Sequence, residues 1–284
     1  LYQAAVHEAR AGGLTLIKSV LLQNVFERVC AFPDLEDLEN QRIQSGAGRM
    51  VTPVMLWSQI GQATTPERRQ TLMDQHRLWG RGHEDLASKT AIQRPSQRPR
   101  TEKIRVGVLS SDLRAHAVGF FAFPLFEHID RERFEVFAYS FNPNPPQKIA
   151  DDNLDFLVEL GGHTDLNRPE VLAYRPAPIQ ASWLGYPHSI GLSTVDYFIC
   201  DPRNQPTDAD LLIEKPLLMP ASWIAISPAL ISRYPPPADT LASDIKGHIT
   251  YGTANNPKKY THQTLAAWAR VVAATPGSHF AFLR

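Results

Sequence analysis

From Lys103 onward the chain alternates short, β-branched apolar runs with longer helical ones, and this alternation restricts its fold more than any other feature. Segments 104–110, 134–139, 156–160, 179–184 and 195–200 read as strands, and 120–128 reads as a helix between the first two. Strands this short and this apolar are covered on both faces, which a parallel, doubly wound α/β sheet achieves. Tyr234-Pro235-Pro236-Pro237 interrupts the pattern. It resumes as strand 248–252, helix 261–274 and strand 279–283. One βαβ unit cannot bury both faces of its own sheet, so this second α/β region is expected to be incomplete.

Upstream the period changes. Around Leu14 to Val29 apolar residues recur at intervals of three and four, the signature of a helix, which Pro33 and Asp34 are expected to stop. Leu35 and Leu38 suggest another turn, and Gly46-Ala47-Gly48 a break. Thr64-Thr65-Pro66-Glu67 has the hydroxyl cap, early proline and following acid of a helix start, and that helix runs through Leu72, His76, Leu78 and Trp79. Gln93-Arg94-Pro95-Ser96-Gln97-Arg98-Pro99-Arg100 is polar, rich in Pro and Arg, and reads as a linker. The expected organisation is therefore a helical region at 1–92, a linker at 93–102, a Rossmann-like domain at 103–240 and the start of a second at 241–284. No complete internal repeat is present, though the helical region suits the end of a repeat array.

Charge narrows the function classes. With 29 basic and 29 acidic residues the chain has no basic excess for nucleic acid. No apolar run approaches the roughly 20 residues that span a bilayer. Leu1-Tyr2-Gln3-Ala4 has no secretion-signal character, and a start without Met fits a processed or trimmed N-terminus. Cys30 and Cys200 form no metal-binding pattern, so two buried thiols of a cytoplasmic protein are expected.

Open α/β sheets bind ligands beyond the carboxyl ends of their strands, which directs attention to four segments. Ser110-Ser111-Asp112-Leu113-Arg114-Ala115-His116 places a histidine between a strand and a helix, suited either to proton transfer or to helix capping. Gly161-Gly162-His163-Thr164 lets backbone approach a ligand, or makes a tight turn. Trp183-Leu184-Gly185-Tyr186-Pro187-His188-Ser189 is a strand exit with an aromatic between Gly and Pro. Asn255-Asn256-Pro257-Lys258-Lys259-Tyr260-Thr261 sets two lysines before a helix N-terminus, where a pyrophosphate is favoured; a solvated basic loop has the same composition. P-loop and dinucleotide fingerprints are absent. Asp151-Asp152-Asn153 reads as a helix-to-strand turn rather than a metal site.

Taken in order, these segments resemble the O-GlcNAc transferase family. The likeness runs through Lys103 to Asp112, His116, Arg133 to Tyr139, and most specifically Arg175-Pro176-Ala177-Pro178-Ile179-Gln180-Ala181-Ser182-Trp183-Leu184-Gly185-Tyr186-Pro187. It continues through Asp196 to Asp201, Glu214 to Pro220, and Asn255 to Lys259 with Trp268. His76-Arg77-Leu78-Trp79-Gly80 is similar to the helix joining tetratricopeptide repeats to the catalytic region in bacterial members.

The resemblance implies a GT-B fold of two Rossmann-like domains. It also implies inverting transfer of a sugar from a nucleotide diphosphate to Ser or Thr of an acceptor protein, with no metal and no cofactor. By matched position, His116 is the acceptor-side histidine and Lys259 neutralises the leaving diphosphate. Asn256 touches the nucleotide, while Gly185 and Pro187, with Tyr186 between them, line the sugar pocket. His163 and Thr164 are expected to join the substrate-binding set. The pattern departs from the family after Pro146, where a longer stretch is usual and Ala150 stands in the place of a second histidine. The chain also ends at Arg284, before the family's uridine- and diphosphate-binding segments. UDP-GlcNAc is the expected donor. A GDP-fucose-dependent O-fucosyltransferase of the SPINDLY type, a related N-glycosyltransferase and a non-catalytic scaffold are the alternatives.

Overall fold

The computed structural model describes residues 1–44, 51–95, 102–140, 146–236 and 239–283. The expected break at Gly46-Ala47-Gly48, residues 96–101 of the linker, Pro145, Pro237 and Arg284 lie outside the described residues. Two units are distinguished by their internal packing, Leu1–Met50 with Pro235–Arg284, and Val51–Tyr234. The helices expected to form one block over 1–92 thus divide between them.

In the larger unit six strands run parallel: β1 (Ile104–Leu109), β2 (Phe134–Tyr139), β3 (Phe156–Glu159), β4 (Ile179–Ser182), β5 (Tyr197–Cys200) and β6 (Lys215–Leu218). Their order across the sheet is β2-β1-β3-β4-β5-β6. Five of these were expected. β6 was not, because Lys215-Pro216-Leu217-Leu218 has no alternation and is exposed along its length. Pro216 is tolerated there because the strand lies at the sheet edge, where its missing N–H is not needed.

Each sheet face has its own core, as the two-residue strand period requires. On one, Val108, Val158 and Leu160 meet Val118 and Ala122 of a helix at Ala117–His128. On the other, Leu109 and Leu157 pack with Leu56, Leu72 and Trp79 from helices at Pro53–Ile60 and Pro66–Ser88. The long helix starts as expected: Thr65 Oγ1 accepts the Arg68 N–H at 3.3 Å, and Pro66 takes the first position. A helix at Pro146–Asp151 precedes β3 and buries Ile149 and Ala150. The acids after it are structural: Asp152 accepts the Tyr139 hydroxyl at 2.6 Å, and Asp155 accepts the Arg105 N–H at 2.8 Å.

The smaller unit joins helices at Tyr2–Arg10, Leu16–Arg28 and Phe32–Gln44 to a βαβ element. Pro33, read as a helix stop, instead lies in the first turn of the third helix, where a proline leaves no necessary hydrogen bond unmade. The βαβ element comprises β7 (Thr250–Thr253), a helix at His262–Ala273 and β8 (His279–Phe282), the strands pairing in parallel. Trp268 stacks on Phe280 with ring centroids 5.0 Å apart.

Candidate active site at the strand ends

The chain leaves β1 toward β2 on one side and leaves β3 toward β4 on the other. The β1/β3 junction is therefore the topological switch point, beyond which open sheets of this kind hold their ligands. Three of the four segments singled out above converge on these strand ends.

After β1, His116 is the N-cap of the Ala117–His128 helix, its Nδ1 accepting the Val118 N–H at 3.3 Å. The same Nδ1 lies 3.6 Å from Asp112 Oδ2, and the ring is partly exposed while Asp112 is buried. Capping and proton transfer are thus not exclusive. With Nδ1 accepting from Val118, the neutral ring carries its hydrogen on Nε2, which is then a donor. With its proton on Nδ1 facing Asp112, it presents the Nε2 lone pair as a base.

After β3, the glycines make a turn whose amides face inward. Glu159 Oε1 accepts the Gly161 and Gly162 N–H groups at 2.6 and 2.7 Å, and Oε2 accepts Gly162 again at 2.8 Å. Gly162 has φ +52°, and a Cβ built on it would sit 2.4 Å from Tyr186 Cβ, so glycine is required there. Burial pushes the Glu159 carboxyl up to about 7, against the pull of these amide bonds. Sequence reading passed over Glu159. The available signal was an acid closing an apolar strand, with one residue between it and paired glycines.

Two expected substrate-binding side chains sit inside the protein instead. His163 is 1% and Tyr186 1% exposed. His163 Nε2 donates to the Ile190 carbonyl at 2.7 Å, and its ring meets Trp79 edge-on at 4.4 Å. The Tyr186 hydroxyl is 2.7 Å from His76 Nε2, whose Nδ1 donates to Leu72 O at 2.8 Å, so the tyrosine is the donor. His188 stacks on His76 with centroids 4.3 Å apart. Burial holds this group neutral: His163 is pushed down to about 3, His188 to about 4, and His76 well below the usual histidine range. Their chemistry seats the long helix. Gly185, Pro187 and Thr164 remain partly or fully exposed. Leu184, at φ +82°, turns the chain so that the Gly185 N–H donates to Leu160 O at 2.8 Å.

The fourth segment belongs to the smaller unit. Asn256 Oδ1 accepts the Lys258 N–H at 3.1 Å, and Thr261 Oγ1 accepts the Thr264 N–H at 3.1 Å, capping the His262–Ala273 helix. The paired lysines differ. Lys258 donates to Asn24 Oδ1 and lies 3.9 Å from Glu27 Oε2, so it fastens this turn to the Leu16–Arg28 helix. Lys259, two residues before the helix cap Thr261, is exposed. Among the described residues no group of three or more His, Cys, Asp or Glu side chains is placed to hold a metal ion.

Residues 142–226, which include the β3, β4 and β5 loops, match the family described as Glycosyl transferase family 41. The Arabidopsis thaliana protein named "Probable UDP-N-acetylglucosamine--peptide N-acetylglucosaminyltransferase SPINDLY" is 31% identical over 241 residues, covering 73% of this chain and 26% of that protein. This chain is a homologue of the family 41 glycosyltransferases. A Caenorhabditis elegans relative named "UDP-N-acetylglucosamine--peptide N-acetylglucosaminyltransferase" is 31% identical over 150 residues, covering 43% of this chain and 13% of its own length. The family 41 likeness extends to fold. A variant of Thermobaculum terrenum O-GlcNAc transferase superposes with TM-score 0.67 at 21% identity, covering 93% of this chain and 54% of that one. The chain therefore spans about a quarter of the Arabidopsis relative and about half of the solved chain. Among the described residues no helix is long and apolar enough to cross a membrane.

Proposed function

We propose that this family 41 homologue works in an inverting, metal-independent and cofactor-free transfer of GlcNAc from UDP-GlcNAc to Ser or Thr hydroxyls of proteins, in the cytoplasm. The observation that carries the reading is the family match across the loops that end β3, β4 and β5, beside His116, whose Nδ1 accepts the Val118 N–H and lies 3.6 Å from Asp112 Oδ2. Inversion needs a group that receives the acceptor proton and a group that stabilises the departing diphosphate. His116 serves as the first when its Nδ1 proton turns to Asp112. Lys259 serves as the second: without a divalent cation, an ammonium carried two residues before a helix N-cap meets the charge that develops on the leaving group. Asn256 shapes the turn beneath the nucleotide. Gly185, Pro187 and Thr164 line the sugar side, and His163 and Tyr186 support that wall from within.

The test is transfer by the full-length protein with UDP-GlcNAc or GDP-fucose as donor, in EDTA. Transfer from UDP-GlcNAc, inhibited by UDP and not by GDP, is expected. Transfer from GDP-fucose alone would replace the donor assignment, and absence of binding to either nucleotide at millimolar concentration would favour a scaffold. His116→Ala is expected to lower kcat by about two orders of magnitude, the usual worth of a general base. Unchanged turnover would remove His116 from the chemistry.

A further inference from the structure

Resting on the reading that the β1/β3 crevice is where the chemistry takes place, we propose that Glu159 is a positioning residue for it, its carboxylate holding the Gly161–Gly162 turn and, through Asn167, the loop that carries Asp112 and His116. Glu159 is the last residue of β3, in register with Leu109 on one side and Ser182 on the other, and it is fully buried. Successive backbone N–H groups bent around one concavity form a natural anion cradle. In most such cradles the anion is a ligand. Here it is the chain's own carboxylate, which receives three contacts of 2.6 to 2.8 Å from two amides.

The hold extends beyond the turn. Gly161 O accepts the Thr164 hydroxyl at 2.7 Å, and Asn167 Nδ2 donates to that Thr164 oxygen at 2.8 Å. Asn167 Oδ1 then accepts the Ser111 N–H at 3.0 Å. Ser111 adjoins Asp112, whose carboxylate lies beside His116. The two loops of the crevice are joined by this one chain of hydrogen bonds, and Glu159 anchors its inner end. The turn packs closely on Asn167: a Cβ on Gly161 would lie 2.1 Å from Asn167 Cγ.

The charged neighbours determine when the anchor engages. Burial has the largest effect on the Glu159 carboxyl, and the nearby carboxyl groups of Glu170 and Asp112 raise its pKa further. Each has a cation of its own: Arg114 pairs with Asp112, and Arg168 with Glu170. Tyr186, packed on Gly162, is held in its neutral form by burial, and His163, next in the turn, is neutral above about 3. Glu159 is thus the group of this turn that changes charge near neutrality. Ionised, it accepts from both glycines. Protonated, one of its oxygens becomes a donor facing amide hydrogens, and the hold loosens.

The experiment follows ¹⁵N-glycine-labelled full-length protein between pH 5 and 9. The Gly161 and Gly162 amide signals are expected to step together with a midpoint within about one unit of 7. Their exchange, corrected for intrinsic rates, should be about tenfold faster on the acid side, the worth of one charge-assisted hydrogen bond. Both effects should vanish in Glu159→Gln. Flat signals in the wild type, or a step that survives in Glu159→Gln, would overturn the proposal. Should that variant fail to fold, the ¹³C-carboxyl signal of Glu159 in the wild type replaces it: a shared midpoint with the glycines supports the anchor and a different one refutes it. UDP-GlcNAc is then titrated on each side of the midpoint. Binding at least severalfold tighter above it is expected, and equal binding would deny the positioning role. No response to nucleotide with the glycine step intact would count against the transferase reading and leave the anchor standing.

Discussion

At the scale of single residues, the buried titratable groups of the larger unit pull stability in opposite directions. His163 is neutral in the fold down to about pH 3, whereas in the unfolded chain it takes up a proton below its ordinary 6.5. Its depressed pKa therefore makes stability fall as pH drops from 6.5 toward 3. Glu159 has the reverse sign: raised from 4.5 to about 7, it makes stability fall as pH rises through that window. His163→Phe should destabilise by about 1–3 kcal/mol at pH 8, because the Ile190 carbonyl loses its donor. That penalty should shrink by about 1.4 kcal/mol per pH unit between 6 and 4, because Phe binds no proton. Urea unfolding of both proteins across this range checks it, and parallel curves would show that His163 is not held neutral. None of this was legible in the sequence, where His76, His163, Tyr186 and His188 are separated by up to 112 positions and only the fold brings their rings together. His116 was legible, because a histidine between a strand and a helix can do few things, and it caps as one of the readings required.

At the scale of elements, the motif that most specifically marks the family serves the sheet as much as the site. Arg175 donates to Asp196 Oδ1 and the Thr194 carbonyl, both at 2.7 Å, while Asp196 Oδ2 accepts the Gln180 N–H at 2.8 Å. This latch registers β4 beside β5 and delivers the Gly185 turn to its place. The helix at Pro66–Ser88 depends on a closer contact, since a Cβ on Gly80 would lie 1.8 Å from the Gly191 carbonyl oxygen. In an exposed helix interior, Gly→Ala stabilises by about 1 kcal/mol. Here Gly80→Ala should instead cost about 3 kcal/mol, since the obstacle is backbone and cannot turn aside. A lower urea midpoint with unchanged slope is the expected result, and a stabilised variant would disprove the contact. The strand pattern was readable wherever burial on both faces enforced apolar runs. It failed at β6, whose residues are exposed, and at Pro33, which begins a helix as readily as it ends one.

At the scale of the whole molecule, the two residues proposed to carry the chemistry belong to different units, His116 to the larger and Lys259 to the smaller. Lys258 is engaged by Asn24 and Glu27, which ties its turn to the Leu16–Arg28 helix. Lys258→Met should loosen the turn's attachment to the Leu16–Arg28 helix and lower the thermal midpoint of the smaller unit by a few degrees, as expected for about 1 kcal/mol in a unit of this size. An unchanged midpoint would show that this fastening adds nothing. The most direct test of the account is single-turnover transfer from UDP-GlcNAc by the full-length protein in EDTA, comparing wild type with Lys259→Ala. A loss of about two to three orders of magnitude in the chemical step, with donor affinity changed far less, is the predicted result. Equal single-turnover rates would contradict it, because the diphosphate would then leave without the ammonium assigned to receive it.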